Sequence, residues 1–416
     1  MTGTARVIWA GLLLAWSTAA AASATDELYN LLRERLALMP AVAAYKWHAG
    51  LPVEDADREQ AVLADAVLAG LRVGLTPDSS QRLLEAQIAA AKDVQQHWFD
   101  AWRAGEPVAA AEDLALTLRP KLSDLSARIV AAAATAGAGH DRARFDRALD
   151  LPGMTPARRD RLYAAVTGVA TYPDRLAQVL GSGVLRVGTT GDYAPFSYRV
   201  GEGDIVGIDI ELARQLAAAL DARVVLVPTS WPTLMEDLAA GRYDIAMSGV
   251  SRILARQRDG YLTPPYHVGG KTAIARCEDR DAFATLADVD RPGVRVIVNP
   301  GGTNQRFVDA HVHQAEKIVH PDNRTIFTEL VEGRADVMIT DRIEVTLQTR
   351  RNPSLCATMA GNLTYQEKAY LLPRDQRWLA FVATWLSLAL ADGSVTAAFR
   401  AHGVAPTLPV LPMGVD

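Results

Sequence analysis

The sequence predicts two architectures in one chain, an all-α helical bundle followed by a two-lobed α/β domain. Three observations lead there. The chain has 416 residues, more than one ordinary domain holds. Up to about residue 175, alanine, leucine, arginine, glutamine and glutamate dominate, and apolar residues recur at helical spacing. After Pro173, short apolar runs of strand length alternate with helical stretches, the pattern of parallel sheets covered on both faces.

The first-half helices arise from local signals. "DELYNLLRERLALM" sets Leu28, Leu31, Leu32, Arg35 and Leu36 at i, i+3, i+4 spacing. Pro40 is expected to kink that helix. Pro77 and "DSS" open a helix running to about Arg103. "AAEDLALTLRPKLSDLSARIVAAAATA" reads as a further helix kinked at Pro120, and "TPARRDRLYAAVTGVATY" as the last of this half.

In the second half, "VLRVGTT", "ARVVLVPT" and "IAMSGVS" read as strands. "IDIELARQLAAALD" and "WPTLMEDLAAGRYD" read as helices between them. "GVRVIVNPGGTNQRFVDAHV" and "TIFTELVEGRADVMITD" add strand–helix units before a helical tail. The expected division is 25–173 and 174–416. Within the latter, one lobe covers about 180–268 plus 368–400 and the other about 269–367.

Apolar residues make up 49% and charged residues 22%, as in a globular protein. A net charge of −5 gives no electrostatic footprint for nucleic acid. Residues 1–24 carry Arg6, an apolar run from Val7 to Trp16 and a small-residue exit at Ala22-Ser23-Ala24, the pattern of a cleaved signal peptide. The protein is therefore expected in the periplasm or outside the cell, with no membrane attachment after cleavage. Only two cysteines exist, Cys277 and Cys356, both in the second-lobe stretch. In an exported chain they are expected to form one disulfide.

The stretch "AAYKWHAGLPVEDADREQ" crowds Lys46, Asp55, Arg58 and Glu59 around a single break in an otherwise apolar region. Arg35 lies eleven residues before Lys46, about three turns. Gln95 and Arg128 lie on later helices among apolar neighbours. Taken singly, each is a solvated charge whose stem packs on the surface. Several cations facing inward from separate helices would make a site for a dianion.

With "RERLALMPAVAAYKW", "LPVEDADR", "QIAAAKDVQ" and "LSARI", this set resembles the exported, single-chain, all-helical chorismate mutases over residues 26–172. The resemblance implies that Arg35, Lys46, Arg58 and Arg128 hold the substrate's carboxylates and ether oxygen. It implies that Asp55 takes the hydroxyl, with Glu59 assisting, and that Gln95 faces the ether oxygen. Two departures stand out. Ala91 replaces a residue that often carries a hydroxyl, and this half lacks cysteines.

"RVGTTGDYAPFSY" and "GIDIELARQLAAAL" resemble the periplasmic solute-binding proteins. There Arg256 would pair with an α-carboxylate and Ser251 would be its hydroxyl companion. Gly302 and Thr303 open a helix whose N–H groups favour anions. "VPTSWPTLM", "GGKTAIA", "VHPDNRTIF", "MITDRIEVTLQ" and "EKAYLLPRD" extend the match, over about 176–400, to the cyclohexadienyl dehydratases built on that fold. This implies Glu344 as general acid in a site with Asp192, Trp231, Lys271, Asn299 and Asp341. Glu344 follows Asp341 by three residues, so one carboxyl is expected to be pushed toward its protonated form. Asp341 is also a candidate partner for the ammonium of arogenate.

The product of the first activity is the substrate of the second, so the two resemblances support each other. Together they imply an exported enzyme acting on chorismate and then on prephenate or arogenate. No metal or cofactor is implied, because no cysteine–histidine cluster has zinc spacing and no dinucleotide fingerprint appears. Association into a homo-oligomer is left open. The alternative is a periplasmic amino-acid-binding protein with a fused helical docking module.

Overall fold

A computed structural model describes residues 24–137 and 139–408. The proposed signal segment lies outside them, apart from its last residue. The chain divides into two compact units, Met1–Pro173 and Asp174–Asp416.

The first unit is helical throughout its regular structure. Helix α1 (24–37) breaks at Leu38, and α2 (Met39–His48) restarts with Pro40 in its first turn. There the proline's missing N–H costs nothing. Helix α3 (Ala56–Arg72) is capped by the Asp55 carboxylate, which accepts from the Arg58 amide. Helix α4 (Pro77–Arg103) is capped by Thr76. The expected kink at Pro120 is absent. A five-residue π turn, Leu114–Leu118, precedes α5 (Arg119–Thr135), and Pro120 falls in the first turn of α5. Helices α6 (Arg142–Ala148) and α7 (Pro156–Thr167) complete the unit.

Its core gathers Leu28, Leu32, Leu36, Leu83, Ile129, Phe145 and Leu162, all buried. Trp47, Phe99 and Trp102 pack edge to face in a smaller cluster. Helices α3 and α4 run antiparallel. Lys92 pairs with Glu59 at 3.0 Å near one end. Near the other, Gly70 approaches Ser80 so closely that any Cβ would meet its Oγ at 1.9 Å.

The second unit holds two five-stranded sheets. The first has the order Arg223–Pro228, Val184–Thr189, Ile245–Ala246, Leu371–Leu372, Tyr261–Leu262, with its first three strands parallel. The second has the order Glu316–Val319, Arg295–Val298, Val337–Asp341, Lys271–Arg276, Leu355–Ala357, again with three parallel strands. The chain leaves the first sheet through His267–Gly269 and returns through Gln366–Lys368. These two strands pair antiparallel, His267 opposite Lys368. Two crossing strands between lobes are a hinge. Cys277 and Cys356 are joined in a disulfide.

Two second-half elements are shorter than the pattern suggests. The helix expected over "WPTLMEDLAAGRYD" spans only Leu234–Ala239, and the strand in "IAMSGVS" stops at Ala246. The remainder of that strand is freed at the carboxyl end of a parallel sheet, where such folds bind ligands.

Candidate active sites

The first unit encloses a cavity of about 430 Å³ between α1–α5. Arg35, Lys46, Asp55, Arg58, Glu59 and Gln95 all line it. Arg35 is 8% exposed and its Nε donates to Ser126 Oγ at 3.3 Å, while its Nη1 is buried without a partner. Burial pulls its pKa down to about 10. Among the described residues no carboxylate pairs with this buried guanidinium, whose charge suits it to hold an anion.

Lys46 Nζ donates to the Val53 carbonyl at 2.6 Å, and burial lowers its pKa. Gln95 is buried, donating to the Ala91 carbonyl at 3.1 Å and more weakly to Met39 Sδ at 3.6 Å. That sulfur contact is readily exchanged for a substrate oxygen. Asp55 is occupied as the α3 cap, and Glu59 by Lys92.

Arg128 does not belong to this set. Its side chain is 50% exposed and faces Asp124 one turn back at 3.7 Å. Arg119 lines the cavity instead, and its charge bears on Lys46. Nine residues at 100° each set Arg128 half a turn away from Arg119, on the opposite face of α5. Leu122, Ser126 and Val130 line the cavity on the Arg119 face. The helix phase carried this signal, but the expected kink at Pro120 obscured it. Lys92 also lines the cavity and was not anticipated.

In the second unit the lobes close on a cleft of about 20 Å³, lined by Trp231, Ser251, Arg256, Asn299, Gly302, Thr303 and Asp341 among others. Gly301, at φ +74°, lies against Pro232 so tightly that a Cβ would come within 2.7 Å. Arg256 is buried, its Nη1 donating to the Ser251 carbonyl at 2.7 Å, and burial lowers its pKa to about 10. Like Arg35, it has no carboxylate partner among the described residues.

Asp341, at the end of its strand, is gripped from three sides. Lys368 Nζ donates to Oδ2 at 2.7 Å, Lys271 Nζ to Oδ1 at 3.3 Å, and the Tyr193 hydroxyl to Oδ2. Burial opposes ionisation, but the two ammonium groups win, and its pKa falls well below the carboxylate range. Asp341 is thus already paired and is not a free partner for a substrate ammonium. Lys271 further donates to Asn304 at 2.5 Å and Thr303 at 3.3 Å.

Glu344, in the first turn of the helix Arg342–Arg351, sits behind Asp341 and is 2% exposed. Burial pushes its pKa up to about 8, and the charges of Asp341 and Asp192 add to that push. Thr340 Oγ1 donates to its Oε2 at 2.5 Å. Asp192 is largely buried, and desolvation raises its pKa although Thr190 and Trp231 oppose it. Asn323 reaches across from the second lobe to donate to the Asp192 carbonyl at 2.9 Å.

Sequence reasoning missed Lys368, although it stands in the quoted "EKAYLLPRD". It lies on the returning hinge strand, over the Tyr193 ring at 5.0 Å, and donates to Ser251 at 3.2 Å as well as to Asp341. Nothing in an alternating strand marks such a lysine as inward-facing. Among the described residues no cluster suits a metal ion.

Residues 185–403 match the bacterial extracellular solute-binding proteins, family 3. The chain belongs to this family. Residues 19–96 match chorismate mutase type II, so this family member carries a chorismate mutase domain ahead of its binding-protein fold. Among its relatives is cyclohexadienyl dehydratase of Pseudomonas aeruginosa, 52% identical over 230 residues, 55% of this chain and 86% of the relative. The L-cystine-binding protein TcyJ of Escherichia coli K12 is 28% identical over 184 residues, 44% of this chain and 68% of that one. Among solved structures, an ancestral amino acid-binding protein, a precursor of cyclohexadienyl dehydratase, aligns with TM-score 0.51 and 29% identity. It covers 55% of this chain and 98% of its own.

Proposed function

We propose that this family member is an exported bifunctional enzyme. Residues 25–173 rearrange chorismate to prephenate, and residues 174–416 convert prephenate to phenylpyruvate, or arogenate to phenylalanine. Residues 1–24 are the leader that sends it to the periplasm or beyond.

The first reaction is a unimolecular pericyclic step that needs no acid, base or nucleophile. Catalysis is orientation plus preorganised charge. Arg35, Arg58 and Arg119 hold the carboxylates in a compact conformer. Lys46 and the Gln95 amide donate to the ether oxygen as its bond to carbon breaks and negative charge grows there.

In the second reaction, protonated Glu344 gives its proton to the departing 4-hydroxyl, which leaves as water. The ring carboxylate leaves as carbon dioxide. The electron pair of its C–C bond enters the ring, which becomes aromatic as the C–O pair departs with the oxygen. Arg256 and the helix start at Gly302–Thr303 hold the side-chain carboxylate. Lys271 and Lys368 are committed to Asp341, so neither clamps the carboxylate that must leave.

The observation that carries this reading is a buried, proton-holding Glu344 one turn from Asp341, which lines the same cleft as an Arg256 that has no carboxylate partner among the described residues. A binder of amino acids needs the arginine but has no use for the acid. The test is incubation of the purified protein with chorismate, followed by absorbance. Phenylpyruvate formation is expected. Persistence of chorismate, with tight binding of an amino acid, would establish the binding protein instead.

A further inference from the structure

The helical cavity is longer than the reaction requires. Its lining runs along α3 from Arg58 to Arg72 and along α4 from Gln95 back to Ser80. At 1.5 Å per residue each path is about 21–23 Å. A substrate with one six-membered ring and a three-carbon side chain spans no more than about two helical turns, roughly 11 Å. The groups assigned to it crowd one end. Toward the other, between α3 and α4, Leu68, Ala69, Leu83, Leu84 and Ile88 make an apolar wall, with the exposed Asp65 and Arg72 and the buried Ser80 also lining it.

Ser80 Oγ donates to the Thr76 carbonyl at 3.1 Å, but Gln87 Oε1 finds no partner among the described residues. Gln87 is 3% exposed, lines the cavity, and its Oε1 is buried without a hydrogen-bond partner. It lies eight residues, about 12 Å, from Gln95 on the same helix, too far to serve the same breaking bond. A buried acceptor left unpaired is unfavourable, and an apolar isostere would remove that cost. An unpaired acceptor in an apolar recess suits a ligand that brings one donor and an apolar body.

We infer that the far end of the cavity is a second subsite. It takes a small aromatic molecule carrying a single O–H or N–H, which donates to Gln87 Oε1 while the ring packs against Leu83, Leu84 and Ile88. The subsite is filled independently of the mutase substrate. The proposed mutase activity enters only in fixing which end of the cavity chorismate takes.

The probe is phenol, with toluene as the near-isosteric control without a donor, titrated calorimetrically into the full chain. Phenol is expected to bind about tenfold more tightly than toluene, the worth of one hydrogen bond. Gln87→Leu should reverse that preference without lowering the unfolding temperature. Ala69→Phe, which fills the recess, should abolish binding of both. Saturating phenol should change the KM for chorismate less than twofold. Absence of phenol binding, an unchanged preference in Gln87→Leu, survival of binding in Ala69→Phe, or competition between phenol and chorismate would each overturn the proposal. If the chain fails to turn over chorismate, the mutase reading falls, while the Gln87→Leu and Ala69→Phe titrations still decide the subsite.

Discussion

Asp341 and Glu344 lie one helical turn apart, both buried, and their protons are driven in opposite directions. Lys271 and Lys368 hold Asp341 ionised. Among the described residues no cation pairs with Glu344, and burial with the neighbouring negative charge outweighs the more distant charge of Lys368 and keeps its proton on. One carboxylate ties Lys271 to the hinge-strand Lys368 and the other stores an acid.

Glu344→Gln should therefore abolish dehydratase activity while chorismate still disappears and prephenate accumulates. The amide matches the carboxyl in size but cannot supply a proton. In the parent, the active form is the protonated one. That form predominates at neutral pH and its fraction falls as pH rises through about 8. A pH profile of prephenate turnover should show that alkaline limb. Parental rates in Glu344→Gln would move the role to another carboxyl, Asp192 being the next candidate.

Lys368→Met should cost stability as well as activity. It strips one of two ammonium groups from buried Asp341, and breaking such a pair costs about 3 kcal/mol or more. The depressed pKa of Asp341 gives stability that is present above the unfolded carboxyl value of about 4 and is lost as pH falls through the folded one. The variant surrenders part of that stability, so its acid unfolding midpoint should move to higher pH. Circular dichroism during acid titration measures this, and an unmoved midpoint would remove Lys368 from the network.

Much of this was legible in the sequence, and the reasons differ between the halves. Helix starts at Pro77 and Pro156 are local events fixed by proline and capping oxygens, so they could be read directly, whereas the cap that Asp55 supplies to α3 was not read. Arg128 was placed by the resemblance of "LSARI" and its apolar neighbours, whereas its face is set by its position half a turn from Arg119 within α5. Lys368 escaped because its role depends on a hinge strand meeting Asp341, 27 residues earlier in the chain. The pairing of Asp341 could not be read at all, since a carboxylate's partners are set by tertiary contacts.

Arg119→Ala and Arg128→Ala test the reassignment on α5 directly. Removal of one partner of a buried, hydrogen-bonded charge pair with a substrate carboxylate costs about 3 kcal/mol, roughly two orders of magnitude in mutase kcat/KM. That loss is expected for Arg119. Arg128, half-exposed and facing solvent and Asp124, should change the rate less than about twofold. Equal losses in the two variants would refute the helix-phase argument.

The Cys277–Cys356 disulfide closes a loop across 79 residues. The chain-entropy relation gives roughly 4–5 kcal/mol as its upper contribution. Replacing both cysteines with serine should lower the stability of the second unit by up to that amount in denaturant unfolding. Mutase activity, which uses no residue of that unit, should persist in the folded variant.

Gln95→Glu should give the mutase a pH dependence it otherwise lacks near neutrality. The amide of Gln95 donates at any pH, whereas a carboxylate accepts only and repels the charge growing on the ether oxygen. A glutamate there serves only when protonated. Burial raises its pKa, while Lys46 and Arg35 in the same cavity lower it, so the variant should titrate on the acid side of neutral. Activity should be low at pH 8 and recover as pH falls toward 5, with the parental rate nearly flat over that interval. Initial rates of chorismate consumption across the range measure this. A flat profile in the variant would place Gln95 away from the breaking bond and leave Lys46 as the donor to that oxygen.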